Sequence, residues 1–386
     1  MASSLQRELN SFFSKVLGKD YSIQKVTKGA LTQARAKLKP EAFLELNQTG
    51  CKIFYEGAPY RIWKTHRVLA IDGSAVTVPT HKSTREVFGE YMVGCKADVP
   101  KSMAHISICY DVLNLLTLDA RMDRFDISEQ TLLKEHLQTV DFKQDDLLLL
   151  DRGYPSISLM YELQQRGIHF CIRMKDNWWK EVEKFQKEGT QSKEVVFKLP
   201  PKDRHLQAKW QSEQDEVKCR LVSIELENGE KEILCTSLLD EQIYSLADLK
   251  ELYHLRWNVE EAYKLFKCRL NLEAFSGKTA NAVKQDFYAK VFMMTMCASL
   301  SFPIEQKVRD EAALQKRKHA HQINRTNVLG SYRESWIALW LGKKKQKVLK
   351  SIDHILTKTT DIIRPGRKFK RKKIQKKQSA MTYKQL

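Results

Sequence analysis

No run of residues in this chain approaches the roughly 20 consecutive apolar positions of a membrane-spanning helix. Hydrophobic residues make up 42% of its 386 positions and charged ones 29%. Those proportions describe a globular protein with room for a sizeable core and for two or more domains. The eight cysteines, at 51, 95, 109, 171, 219, 235, 268 and 297, include no CxxC pair. That argues against a zinc ribbon or a disulfide framework and predicts reduced thiols in a cytoplasmic protein. The first residues, MASSLQRELNSFFSKVLGKD, carry an early acidic residue and no apolar core, unlike a signal peptide. No internal repeat is visible. Acidic residues are scarce at the C-terminal end, where residues 341–386 hold 16 Lys and Arg against only Asp353 and Asp361. This segment therefore carries +14 of the net charge of +19. A polyanionic partner is the expectation; the alternative is a basic tail that is merely solvated.

Residues 1–60 read as helical. Leu5, Leu9, Phe12, Phe13, Val16 and Leu17 share one helix face. Gly29 is expected to break the chain, Thr32 to cap a second helix, Pro40 to open a third and Gly50 to end it. Three short helices could form a DNA-reading module or a helical cap. Residues 61–176 change to strands: VLAIDGSAVTVP (68–79), then SMAHISICYDV and LNLLTLDARM (102–122), whose apolar positions alternate. A helix follows Ser128, an apolar strand runs into DLLLLD (146–151), Ser156 caps another helix, and IHFCIRM (168–174) is a further strand. Three strands followed by helix, strand, helix and strand predict a mixed α/β sheet. Residues 177–245 read as a β-rich insertion with a tight hairpin at ENGE. Residues 246–300 return to the core, and 301–386 are helical before a basic tail.

Two buried strands end in aspartate, at Asp72 and Asp151. Each alone reads equally as a strand-end turn residue, but together they mark the rim where open α/β sheets carry their sites. The stretch YHLRWNVEEAYKLFK (253–267) supplies a third group. On a regular helix of 100° per residue, Tyr253, Arg256, Glu260 and Lys267 fall within an arc of about 60° beside the apolar face. Glu261 falls off that stripe, so Glu260 is the candidate. Two aspartates and a glutamate on converging elements suit two Mg2+ ions bound through oxygen, and such a pair drives phosphoryl transfer. Arginine and lysine beside them would hold neighbouring phosphates.

The spacing Tyr253-x2-Arg256-x3-Glu260-x6-Lys267 resembles the YREK signature of bacterial insertion-sequence transposases of the DDE type. IDGS at Asp72, DRGYPS at Asp151, FSGKT (275–279) and the N-terminal LTQARAKLKPEAF are similar to the same family, over roughly residues 25–300. The resemblance implies a ribonuclease-H-like catalytic fold interrupted by the β insertion. It implies that Asp72, Asp151 and Glu260 are catalytic and bind two Mg2+ ions, with Mn2+ able to substitute. It also implies that Tyr253, Arg256, Lys267, Arg152, Tyr154 and Lys278 contact DNA. The implied partners are double-stranded DNA, at terminal inverted repeats and target, and a second copy in a synaptic homodimer. No membrane is implied, and the implied setting is the bacterial cytoplasm, at the nucleoid. Family members stabilise a flipped base with a tryptophan of the insertion; Trp178, Trp179 and Trp210 are candidates here, as are core roles for each.

Other features carry less. His319 and His321 in a basic helical run read as solvated, RPGRKFKRKK (364–373) as a phosphate contact, and Asp119 and Asp123 as a surface turn. Competing functions are a catalytically inactive DNA-binding descendant, a ribonuclease-H-like nuclease on other nucleic acids, and a paired-carboxylate sugar hydrolase. The last leaves the basic tail unexplained.

Overall fold

Three helices precede the sheet: α1 (Leu5–Leu17), α2 (Lys28–Ala36) and α3 (Glu41–Gly57). The structure, a computed structural model, describes residues 5–18, 26–92, 99–175, 179–225, 229–342 and 344–364. The cap of α2 is Thr27, whose hydroxyl accepts the Ala30 N–H at 3.1 Å. Gly29 therefore lies inside the helix instead of breaking the chain. Thr32, expected as the cap, donates its hydroxyl to the Lys28 carbonyl one turn back. α3 does begin after Pro40 but continues through Gly50 to Gly57. A mid-helix glycine costs about 1 kcal/mol; here the helix is held by tertiary contact. Asn47 is buried and donates to the Thr117 carbonyl at 2.7 Å, and Gly50 lies against Met296 and Phe292.

The next elements are β1 (Val68–Thr77), α4 (Lys82–Phe88), β2 (Glu90–Tyr91), β3 (Lys101–Asp111), β4 (Leu116–Arg124), α5 (Glu129–Thr139), β5 (Leu147–Leu150), α6 (Ile157–Gln165) and β6 (His169–Arg173). They match the expected order, except that α4 and β2 are additional and β1 runs unbroken through Asp72 instead of ending there. Across the sheet the order is β4-β3-β1-β5-β6. β3 runs antiparallel to β1 and β4, whereas β5 and β6 run parallel to β1. This is the ribonuclease-H-like arrangement. β5 is covered on both faces, which explains its unbroken LLLL: parallel strands in a two-sided sheet need apolar residues at every position.

The insertion adds α7 (Lys180–Glu188), β7 (Ser192–Lys198), α8 (His205–Trp210), β8 (Glu216–Glu225) and β9 (Lys231–Thr236). β8 and β9 form the expected antiparallel hairpin; residues 226–228 of its turn lie outside the described residues. β9 also pairs antiparallel with β6, so these strands extend the central sheet to nine strands.

The chain then forms α9 (Leu246–His254), α10 (Trp257–Lys264), α11 (Ala280–Leu314), β10 (His321–Ile323), α12 (Arg325–Trp340), α13 (Lys345–Lys358) and β11 (Thr360–Ile362). Two expectations are corrected here. His321 lies in a strand, β10, which pairs with β11. The region after 341 forms α13 and β11 before the described residues end at 364, so most of RPGRKFKRKK lies outside them. α11 is also, by length and composition, long and apolar enough to cross a membrane, contrary to the sequence reading. Its Val283, Phe287, Val291 and Met294 are buried in the core. Two hydrophobic layers sandwich the sheet: α10, α11, α12 and α13 pack on the face bearing Val68 and Ala70, and α3, α5, α6 and α7 on that bearing Leu69 and Ile71.

At the foot of the two central parallel strands lies a buried ion pair. Arg67 Nε donates to Asp146 Oδ1 at 2.8 Å, with the side chains 5% and 2% exposed. The Leu147 N–H also donates to the Arg67 carbonyl at 2.9 Å. Asp146→Ala is expected to cost about 3–5 kcal/mol in chemical denaturation, because it strands a buried guanidinium. The double variant Arg67→Met with Asp146→Leu should cost clearly less than Asp146→Ala alone.

Candidate active site

The geometry begins with the register of β1 and β5. Val68, Leu69 and Ala70 lie beside Leu147, Leu148 and Leu149. Continuing that register by two residues sets Asp72 level with Asp151, on strands about 4.8 Å apart. Burial, reinforced by the neighbouring Glu129 and Glu260 carboxylates and opposed by Arg256, raises the Asp72 carboxyl to about 7. Asp151 Oδ1 is buried and has no hydrogen-bond partner among the described residues.

The helix carrying the third acid departs from the regular stripe. Tyr253 lies in the last turn of α9, which ends at His254; Leu255 and Arg256 then sit in a tightened turn, with Arg256 N–H donating to the Tyr253 carbonyl at 3.1 Å. After α10, residues Leu265–Arg269 form a π-helical turn that contains Lys267. A constant 100° per residue therefore does not describe residues 253–267. The four side chains still converge on the strand ends. Tyr253 Oη donates to the Leu150 carbonyl at 3.3 Å, next to Asp151. Lys267 Nζ donates to Ser74 Oγ at 2.7 Å and the Ala75 carbonyl at 2.9 Å, just beyond Asp72. Tyr263, on the same helix, donates to the Asp72 carbonyl at 2.7 Å. Arg256 lies between the Tyr253 and Trp257 rings and donates to Glu260 Oε1 at 2.9 Å. Glu261 is exposed and pairs with Lys264, away from the strand ends.

The expected DNA contacts divide by burial. Tyr154 is fully buried beneath the aspartates, and Tyr253 is 6% exposed. In this structure neither ring is presented to a phosphate, a correction to the sequence reading. Arg256 is also buried, whereas Arg152 and Lys278 are exposed. Trp179 packs edge-on against Phe197 within the insertion, and Trp210 lies under Arg166 at the end of α6; Trp178 lies outside the described residues.

Two features escaped the sequence reading. Glu129, the first residue of α5, reaches between the strand ends: its carboxylate lies beside Gly73 and Gly153, the residues that follow Asp72 and break the turn after Asp151. The sequence shows only a Ser128 cap followed by an acid, which any helix start favours. Asp119, expected at a surface turn, is buried. Its Oδ2 accepts from His136 Nδ1 at 2.7 Å, and His136 Nε2 lies 3.0 Å from Ser107 Oγ. Burial opposes ionisation of Asp119, but His136 and Arg121 outweigh it and hold the carboxyl below its ordinary value. This Ser-His-Asp chain is closed to solvent, so it fastens α5 to β3 and β4.

Among the described residues no three His, Cys, Asp or Glu side chains stand close enough to hold a metal ion as they are placed. Glu260 is turned onto Arg256 instead. The donor set nevertheless suits a hard divalent cation, because it is all oxygen, includes the orphaned Asp151 Oδ1 and is short of positive charge around Asp72.

The profile of the family described as "Transposase DDE domain" matches residues 63–297. "Transposase InsG for insertion sequence element IS4" of Escherichia coli (strain K12) is 25% identical over 257 residues, 63% of this chain and 53% of the relative. The chain thus spans about half the length of that curated relative. A piggyBac transposase synaptic complex with hairpin DNA, solved by cryo-EM, is 11% identical, with a TM-score of 0.43, over 75% of this chain and 57% of that one.

The raised Asp72 carboxyl makes a signed prediction for the metal-free protein. Between its ordinary value of 3.8 and about 7 the native state holds a proton that the unfolded state releases. Stability should therefore fall as pH rises through that window. Relative to Asp72→Asn, wild type should lose stability from pH 4 to 7 in urea unfolding, and a pH-independent difference between the two would contradict the assignment.

Proposed function

Given that the chain belongs to the transposase DDE domain family, we propose that it cuts and rejoins the ends of an insertion sequence by a cut-and-paste reaction. The observation that carries this reading is the placement of Asp72 within β1 and of Asp151 directly after the neighbouring parallel strand β5, with Glu260 close enough to act on Asp72 electrostatically. Two Mg2+ ions, or Mn2+ in their place, would when bound supply activation of the attacking oxygen and stabilisation of the leaving one. Asp72, Asp151 and Glu260 are the residues that hold them.

The chain's own groups then have separable roles. Asp72 is fixed by the sheet hydrogen bonds of β1 and Asp151 by its place directly after β5, so their carboxylates need little reorganisation. Glu260 would hold the ions in place of its Arg256 partner, leaving the guanidinium for a backbone phosphate, which it suits by its planar fork. Tyr253 and Lys267 brace the two strand ends. Exposed Arg152 and Lys278 contact the DNA backbone, and the Lys and Arg of residues 341–386 add sequence-independent phosphate affinity. The substrate is double-stranded DNA with terminal inverted repeats. Two such ends, held together for strand transfer, call for a homodimer at the bacterial nucleoid.

The test is cleavage of DNA bearing the element's own terminal repeats, with and without Mg2+. Wild type should cut at the end only with metal, Glu260→Gln should lose at least about a thousandfold in rate, and Glu261→Gln should retain cleavage. Loss of cleavage in Glu261→Gln alone would overturn the assignment of the third acid. Sequence-independent binding by wild type without any cleavage would point to an inactive DNA-binding descendant.

A further inference from the structure

The position of Glu129 goes beyond that reading and rests on it. A methyl group added at Gly153 would lie 2.7 Å from Glu129 Oε2. One added at Gly73 would lie 3.1 Å from Glu129 Oε1 and 2.6 Å from His105 Nε2. Real Cβ atoms essentially never come as close as 2.6 or 2.7 Å, so a Cβ at Gly153 would displace the Glu129 carboxylate, whereas at Gly73 it would collide with His105 and only crowd Glu129. One glycine directly follows Asp72, and the other lies two residues beyond Asp151. Neither has the positive φ that would call for glycine on backbone grounds. Space for the Glu129 carboxylate is what glycine provides at Gly153, and space for the His105 ring, with Glu129 in tight contact beside it, is what it provides at Gly73.

Glu129 is also held there from behind. Ser128 caps α5 by accepting the Thr131 N–H, and the buried Asp119–His136–Ser107 chain fixes the helix against β3 and β4. Among the described residues no hydrogen bond or ion pair is formed by its carboxylate, although the chain is rich in Lys and Arg. A carboxylate seated between two others, with no donor of its own, is costly unless a cation joins it. The neighbouring His105 donates from Nδ1 to the Ile127 carbonyl at 2.8 Å, which turns Nε2 toward Gly73.

We propose that Glu129 is a fourth carboxylate of the site, contributing with Asp72 and Asp151 to binding of the divalent cations, directly or through their water. Its place differs from that of Glu260, which comes from the opposite layer of helices and is countered by Arg256.

The experiment measures Mn2+ binding by calorimetry and, separately, the Mg2+ dependence of end cleavage, on the full-length protein. Glu129→Gln should weaken Mn2+ binding about tenfold or more and raise the Mg2+ concentration for half-maximal cleavage by a similar factor, with partial recovery at saturating Mg2+. Glu129→Asp should lie between it and wild type. Gly153→Ala, which pushes the carboxylate aside without removing it, should reproduce the binding defect, and combined with Glu129→Gln should add little further loss. Mn2+ binding and Mg2+ titrations of folded Glu129→Gln that superimpose on wild type would overturn the proposal. Should Glu129→Gln fail to fold, the same comparison is made on Gly153→Ala, and wild-type binding there would overturn it. If wild type itself binds no Mn2+ and cuts no ends, the transposase reading fails, whatever Glu129 does.

Discussion

The whole site depends on the parallel register of β1 and β5. One carboxylate is set within β1 and the other directly after β5, and like charges held close together repel unless something positive lies between them. The register is fixed at the far end of the same strands, where the buried Arg67–Asp146 pair ties together the residues that lead into each one. The LLLL of β5 and the VLAI of β1 contribute apolar surface to both layers of the sandwich. A shift of the register by one residue would place each of those side chains on the wrong face. The fold can therefore hold Asp72 and Asp151 level despite their repulsion, because core packing outweighs it.

Around those strand ends the helical segment 246–269 acts as a clamp built of three pieces. Tyr253 reaches the strand of Asp151, while Tyr263 and Lys267 reach the strand of Asp72. A straight α-helix would carry Lys267 on the same line as Glu260. The π-helical turn instead adds a residue to the turn, and Lys267 is aimed at Ser74 and Ala75. Such turns recur at functional sites for this reason: they re-aim one side chain without moving the helix before it. In this structure Tyr253 and Lys267 hydrogen-bond to the strands that carry or precede the two aspartates.

Much of this was legible because burial writes itself into residue order. Alternation marked β3 and the β8–β9 hairpin, and the apolar run of a two-sided strand marked β5. A turn aspartate after such a strand marked the rim. The helix stripe picked Glu260 over Glu261, and Glu261 is indeed exposed and paired with Lys264. What stayed hidden was set by tertiary contact. Gly50 looks like a helix stop unless α11 is known to pack against it. Asp119 looks like a turn residue unless His136, 17 residues on, is known to face it. Glu129 looks like the acid that any helix start favours, and only the two glycines opposite reveal that it faces inward. The break at Leu255 and Arg256 has no sequence signal, since no Gly or Pro lies there.

The charge balance at the site explains why a basic protein should carry a pocket that resists ionisation. The net charge of +19 is distant and screened, with most of it in residues 341–386. At Asp72, Arg256 opposes protonation against burial and the Glu129 and Glu260 carboxylates. One guanidinium cannot satisfy that many carboxylates, and it is itself committed to Glu260 and to two aromatic rings. The remaining deficit is local, buried and lined by oxygen, and DNA cannot relieve it because phosphates bring more negative charge. Only a small, multiply charged cation can enter, compensate the acids and still leave positive charge for a phosphate. Burial, reinforced by Glu129 and Glu260, raises the Asp72 carboxyl, and a divalent cation bound there would favour its ionised form.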